Sequence, residues 1–247
     1  MQLDTLLKEL RENMLRDVSD LVNPTDAELQ ASYLWTDETL IRYINEGYFR
    51  LAERGFLLKD GTTPATSRIE MVAGQENYDL HPAVLTVYSV ATQGRRQLQR
   101  LTHPTLTGAN ADLAYLPPFT LEARTGNPRS FTTDEENSVL RIYPAPDSDL
   151  EGQMLHLRVA RLPLEKLAMP ADGSGDPIPE PELPERYHLD ILEWAAYLAL
   201  RNHDTDVDNL RSATHHRNSF TRRLEEARSQ HQAAMMQIPQ FAFNARY

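Results

Sequence analysis

Apolar positions along this chain change rhythm twice. Near the N-terminus Leu3, Leu6, Leu7, Leu10, Met14 and Val18 recur at steps of three and four, which predicts an amphipathic helix over 3–18. Asn23-Pro24-Thr25-Asp26 breaks it. A second helix is written from its start signals. Thr36 is an N-cap residue, Asp37 and Glu38 put negative charge in the first turn, and Trp35 and Leu40 hold the positions of a hydrophobic staple. Leu40, Ile41, Ile44, Tyr48, Leu51 and Ala52 form its apolar face, and Gly55 is the natural stop.

From about Ser67 to Pro163 the period falls towards two. The stretch 84–90 is rich in β-branched residues and predicts a strand. Residues 97–102, 119–124 and 138–143 are further candidates, and Leu155, Leu157 and Val159 alternate with Met154, His156 and Arg158. The turn-rich Pro144–Asp149 suits a hairpin between 143 and 154. About six to eight antiparallel strands are expected, as a sandwich or open barrel.

Residues 163–184 carry six prolines and Gly173-Ser174-Gly175, the composition of a linker crossing a surface. Helical spacing then returns. After Pro184 a helix to about Asn202 presents Ile191, Leu192, Ala195, Leu198 and Ala199, widened by Leu189, Trp194, Ala196 and Tyr197, so it is expected to be buried on more than one side. A last helix over about 207–236 has heptad-like steps through Leu210, Ala213, Phe220, Leu224 and Ala227, interrupted by Arg217 and His231. Pro239 ends it.

The fold class expected is therefore α+β: an α-helical base of about four helices with an inserted antiparallel β module and an extended C-terminal tail. The boundaries are 1–62 for the first helices of the base, 63–163 for the β module, 164–184 for the proline-rich linker, 185–236 for the C-terminal helices and 237–247 for the tail.

Composition removes several chemistries. There is no cysteine, hence no disulfide framework, thiol nucleophile or cysteine metal site. No apolar run approaches the ~20 residues of a membrane span, and Met1–Thr5 lacks the features of a signal peptide. The net charge of −11 opposes general binding to nucleic-acid backbone, although residues 205–247 carry more arginines than carboxylates. Asp204–Asn209 has neither the glycine nor the distal glutamate of a calcium loop. His215 and His216, adjacent on a helix, point about 100° apart and cannot share a metal. No phosphate loop, nucleophile elbow or HExxH occurs. No catalytic residue, metal or cofactor is assigned.

The tail offers more. Ile238, Phe241, Phe243, Arg246 and Tyr247 form an extended segment without a carboxylate side chain, suited to docking aromatics on another protein. On the last helix Arg217, Phe220, Arg222, Arg223 and Arg228 are candidate contacts to a neighbouring subunit or partner. A tail-associated hydrolase and a DNA-binding regulator using the Arg-rich last helix stand as alternatives to a binding role.

The helix start at residues 35–46, the run Leu140–Asp147, and Leu183–His188 leading into Trp194-Ala195 resemble, in that order, the head-to-tail adaptor (connector) proteins of tailed bacteriophages. The resemblance implies a ring of identical subunits, usually a dodecamer, beneath the portal protein. It implies a surface for the next tail component (nozzle or tail tube), a channel for packaged DNA without sequence specificity, and no membrane partner. It also implies a virion protein at the portal–tail junction, assembled in the host cytoplasm, whose C-terminal segment docks on the portal.

Overall fold

The structure, a computed structural model, describes residues 1–17, 28, 32–94, 96–101, 125–134, 138–171, 174–203 and 207–236. The chain is α+β. It divides into a helical unit, Met1–Leu58 with Pro163–Tyr247, and a β unit, Lys59–Leu162.

In the helical unit, α1 (Leu3–Glu9) buries Leu3, Leu6 and Leu7. The 3–18 pattern predicts one α-helix, but from Leu10 to Leu15 the backbone is π-helical and it ends at Arg16 in the left-handed region. The reason is a residue that the apolar pattern passes over. Arg11 is buried, donating to Asp17 and Asp37 at 2.6 Å each and to the Trp35 carbonyl at 2.7 Å. Its guanidinium also lies 3.9 Å from the centre of the Tyr33 ring. A buried cation is tolerable only when paired and hydrogen-bonded, and here Asp17 nearby and Trp35 and Asp37 farther along the chain supply the partners. Val18 lies outside the described residues.

Helix α2 (Asp37–Gly55) starts as its signals direct: the Thr39 N–H donates to the Thr36 hydroxyl at 3.3 Å, and Trp35 and Leu40 are both buried. It ends one residue later than the glycine stop implied. Gly55 is still helical and Phe56 takes the left-handed conformation at φ 50°. Inside α2, Gly47 has a structural reason: a β-carbon there would meet the Ile191 carbonyl oxygen at 2.6 Å. It therefore marks where α2 crosses α3 (His188–His203) at close range, a helix that follows a 3-10 turn over Glu185–Tyr187. The long α4 (Val207–Met236) buries Ala213, Phe220 and Ala227, seven residues apart, along one narrow seam.

The stretch from Pro163 to Pro184 has no helix or strand among its described residues, yet it is stitched to the base. Asn45 exchanges two hydrogen bonds with the Leu167 backbone, Glu182 N–H donates to the Tyr48 hydroxyl, and Leu3 N–H donates to the Pro179 carbonyl. Leu167 and Leu183 enter the helical core. It is a strap rather than a slack connection.

The β unit carries ten strands among its described residues. In one sheet β10 (Met154–Arg161) pairs antiparallel with β4 (Val84–Thr92), β1 (Lys59–Asp60) and β2 (Arg68–Glu70). In the second, the order is β3 (Asn77–Asp79), β8 (Val139–Tyr143), β7 (Ser130–Asp134), β5 (Gln99–Arg100). A short third pairs β6 (Thr125–Gly126) with β9 (Ala145–Pro146). Val87 and Leu157 from the first sheet share one core with Phe131 and Ile142 from the second.

Three expectations change here. The pairs β5–β7 and β6–β9 are parallel, so the module is not purely antiparallel. Residues 143 and 154 do not bound a hairpin, because β8 and β10 belong to different sheets and Ala145–Leu150 carries the chain from one to the other. And β4 buries Val84, Val87 and Val90, every third residue, because its pairing with β10 slips at Arg158/Val159 and Ala160/Arg161. The candidate strand at 119–124 lies outside the described residues.

Where the chain enters and leaves this unit, β1 and β10 are adjacent (Lys59 opposite Ala160) and locked by a buried ion pair. Arg161 Nε donates to Asp60 at 2.7 Å. The same carboxylate accepts from the Thr62 and Thr63 N–H groups and the Thr66 hydroxyl. Burial pushes the Asp60 carboxyl up, but the hydrogen bonds from Thr63, Thr62 and Arg161 outweigh it and hold the group far below the usual carboxylate range.

Candidate docking surface

Within the helical unit, α2, α3 and α4 leave an open groove of about 610 Å³, lined by Glu46, Arg50, Trp194, Tyr197, Leu198, Arg201 and Arg217. Its floor is aromatic. Trp194 packs against Tyr197 (ring centres 4.9 Å apart) and against Phe220 from α4 (5.1 Å), and its indole N–H donates to Glu46 at 3.2 Å. The Arg50 guanidinium lies 4.0 Å from the Trp194 ring centre, and Arg201 donates to the Tyr197 hydroxyl at 3.0 Å. Arg217 is exposed on the α4 side. None of the three guanidiniums forms an ion pair with a described carboxylate.

Polar contacts fix the α4 wall. His216 Nδ1 is 2.7 Å from Glu193, and Arg223 reaches Asp190 at 3.6 Å and Glu226 at 3.2 Å. Burial raises the Asp190 carboxyl above its ordinary range; Arg223 opposes the rise, and Glu193 and Glu226 add to it.

The candidates on the last helix thus separate. Phe220 is a core residue of its own subunit, 2% exposed beneath Trp194. Arg217 lines the groove, Arg223 is engaged with Asp190 and Glu226, and Arg222 and Arg228 are exposed. Ile238, Phe241, Phe243, Arg246 and Tyr247 lie outside the described residues, as does Asp204–Asp206 of the calcium-like stretch. Among the described residues no three metal-ligating side chains come together.

Sequence reasoning missed Arg50 and Arg201. The available signal was weak: Glu46 and Arg50 share one side of α2, and Trp194, Tyr197 and Arg201 recur at steps of three and four on α3.

A surface of stacked aromatics and guanidiniums, with no carboxylate partner for them and no nucleophile–base pair among the groove's described residues, is equipped for binding. The model of the SU10 adaptor protein family matches residues 1–240. The chain belongs to this family. It is a phage structural adaptor, the class that residues 35–46, 140–147 and 183–195 resemble. No curated protein matches the adaptor's sequence. Among the described residues, no helix of the adaptor is long and apolar enough to cross a membrane.

Proposed function

We propose that this adaptor is a virion protein that closes into a ring, a dodecamer by its resemblance to connector proteins, between the portal and the tail. The ring extends the channel for packaged DNA, helps retain the genome and presents a platform to the next tail component. The family match over residues 1–240 carries this reading. The one-sided burial of α4 supports it: between residues 209 and 230 the helix is held by a narrow seam of Ala213, Phe220 and Ala227, leaving most of that stretch's circumference for neighbours. The net charge of −11 suits a channel wall that DNA slides past, since phosphates are repelled.

Docking on the portal is assigned to the tail, with Ile238, Phe241, Phe243, Arg246 and Tyr247 as anchors and a ring of such tethers giving avidity. Deletion of residues 237–247 tests this. The truncated adaptor should keep its circular dichroism spectrum and melting temperature yet fail to co-sediment with portal particles. Undiminished co-sedimentation would remove the tail from the reading.

A further inference from the structure

Three guanidiniums without a carboxylate partner among the described residues, around a Trp–Tyr floor on a chain of net charge −11, call for a carboxylate-bearing partner with flat or apolar faces. The adaptor's own strap has that chemistry. Between residues 164 and 185 it holds six carboxylates against the single cation Lys166. Its centre reads Asp176-Pro177-Ile178-Pro179-Glu180-Pro181. Prolines at every second position fix φ and hold the intervening residues extended, so little order remains to be imposed on binding. Ile178 packs on the helical core while Asp176, Pro177, Glu180 and Glu182 are exposed. Two of these carboxylates have local partners, since Glu180 meets the Met1 ammonium and Glu182 accepts from Leu164 N–H, whereas the Asp176 carboxylate has none among the described residues.

Placement then decides between self and neighbour. The strap bonds to α2 through Asn45 and Tyr48, whereas the groove uses Glu46 and Arg50. At 100° per residue these two pairs point about 150° apart around the α2 axis. Strap and groove therefore belong to opposite sides of the same helix, the arrangement that a head-to-tail contact between identical subunits requires.

We infer that the groove of one subunit receives the acidic proline strap of a second copy, the exposed Pro177 lying against Tyr197 while Asp176 and Glu180 pair with Arg201 and Arg217. The inference rests on the self-association reading and supplies its contact. The tail is the poorer occupant, having no carboxylate side chain and carrying Arg246.

The test uses full-length chains. Variant one, Asp176→Lys with Glu180→Lys, carries lysines at both strap contact positions and keeps the basic groove; variant two, Arg201→Glu with Arg217→Glu, keeps the acidic strap contacts and carries glutamates in the groove. Sedimentation velocity should show each alone as monomer and their mixture as assemblies of the wild-type size, because each strap then faces a groove of opposite charge. In parallel, a fluorescent peptide of residues 174–185 should bind the wild-type chain and lose about tenfold or more in affinity to variant two. If the wild type stays monomeric but binds the peptide selectively, the groove assignment holds and unaided ring closure fails. If the wild type assembles and variant two assembles equally well, the ring survives and the groove assignment is overturned. Peptide binding that is absent, or equal for both chains, also overturns it, as does a DNA duplex that occupies the groove in the peptide's place.

Discussion

Replacing Gly47 by alanine probes the α2–α3 crossing, with two opposed effects of known size. On an isolated helix the change would stabilise by about 1 kcal/mol, since glycine is a poor helix former. In the folded adaptor the new methyl would lie 2.6 Å from the Ile191 carbonyl oxygen, 3.2 Å from Trp194 Cβ and 3.4 Å from Ile191 Cγ2. An ordinary carbon–oxygen contact is about 3.3 Å or longer, so the helices must part by roughly 0.7 Å. The nearest atom is backbone in a buried helix and cannot turn aside. Overpacking of this kind costs about 1–3 kcal/mol, and the upper part of that range applies. The net expectation is destabilisation of about 1–2 kcal/mol, a fall of about 2–8 °C in melting temperature for a chain of this size. Thermal denaturation followed at 222 nm, which weights the helical unit, is the assay. Asn218→Ala on the exposed side of α4 is the control for propensity alone and should be neutral or slightly stabilising. Gly47→Val should be worse than Gly47→Ala. A melting temperature for Gly47→Ala at or above wild type would show that the two helices do not approach as closely as described.

Two further outcomes concern the β unit. Asp60→Asn leaves Arg161 buried without its charge partner and should destabilise the β unit by about 3–5 kcal/mol at pH 7. Because the Asp60 carboxyl is held far below its unfolded value, its contribution is present above about pH 4 and is lost as pH falls through the folded value. The difference between wild type and variant in urea titrations should accordingly shrink under strong acid, and a difference independent of pH would refute the assignment. Burial pushes the Tyr88 hydroxyl up to about 12, with Arg158 opposing. A raised folded value means stability that is complete below about pH 10 and lost as pH rises towards 12. Tyr88→Phe should remove one phenolate from the last part of the 295 nm alkaline titration; an unaltered curve would place Tyr88 among the ordinary tyrosines.

How much of this was legible in the sequence depends on how local the governing interaction is. The start of α2 was readable because Thr36, Asp37, Trp35 and Leu40 act within one turn. The limits of α3 and α4 were readable because Pro184 and the polar 203–209 stretch bound the apolar stripes. The switch to π-helix at Leu10 was not, because it accompanies burial of Arg11 against Asp37, far along the chain. Nor was the slip in β4, which is set by its register with β10. Alternation identified β8 and β10 as strands, but alternation carries no information on which sheet a strand joins, and the apparent hairpin was the casualty. The groove arises from side chains on three helices, each unremarkable on its own helix, and only their convergence leaves Arg50, Arg201 and Arg217 around one indole.

The ion pair between Asp60 and Arg161 also bears on the order in which the chain can assemble. Helices α2 and α3 cannot meet until everything between them has been synthesised, and closing a floppy loop of ~130 residues carries an entropic penalty of about 4 kcal/mol. A β unit that folds as it emerges draws its own two ends into register at Lys59 and Ala160, leaving little loop for the helices to close. The strands would thus act as an internal chaperone for the helices, with the salt bridge as the clasp.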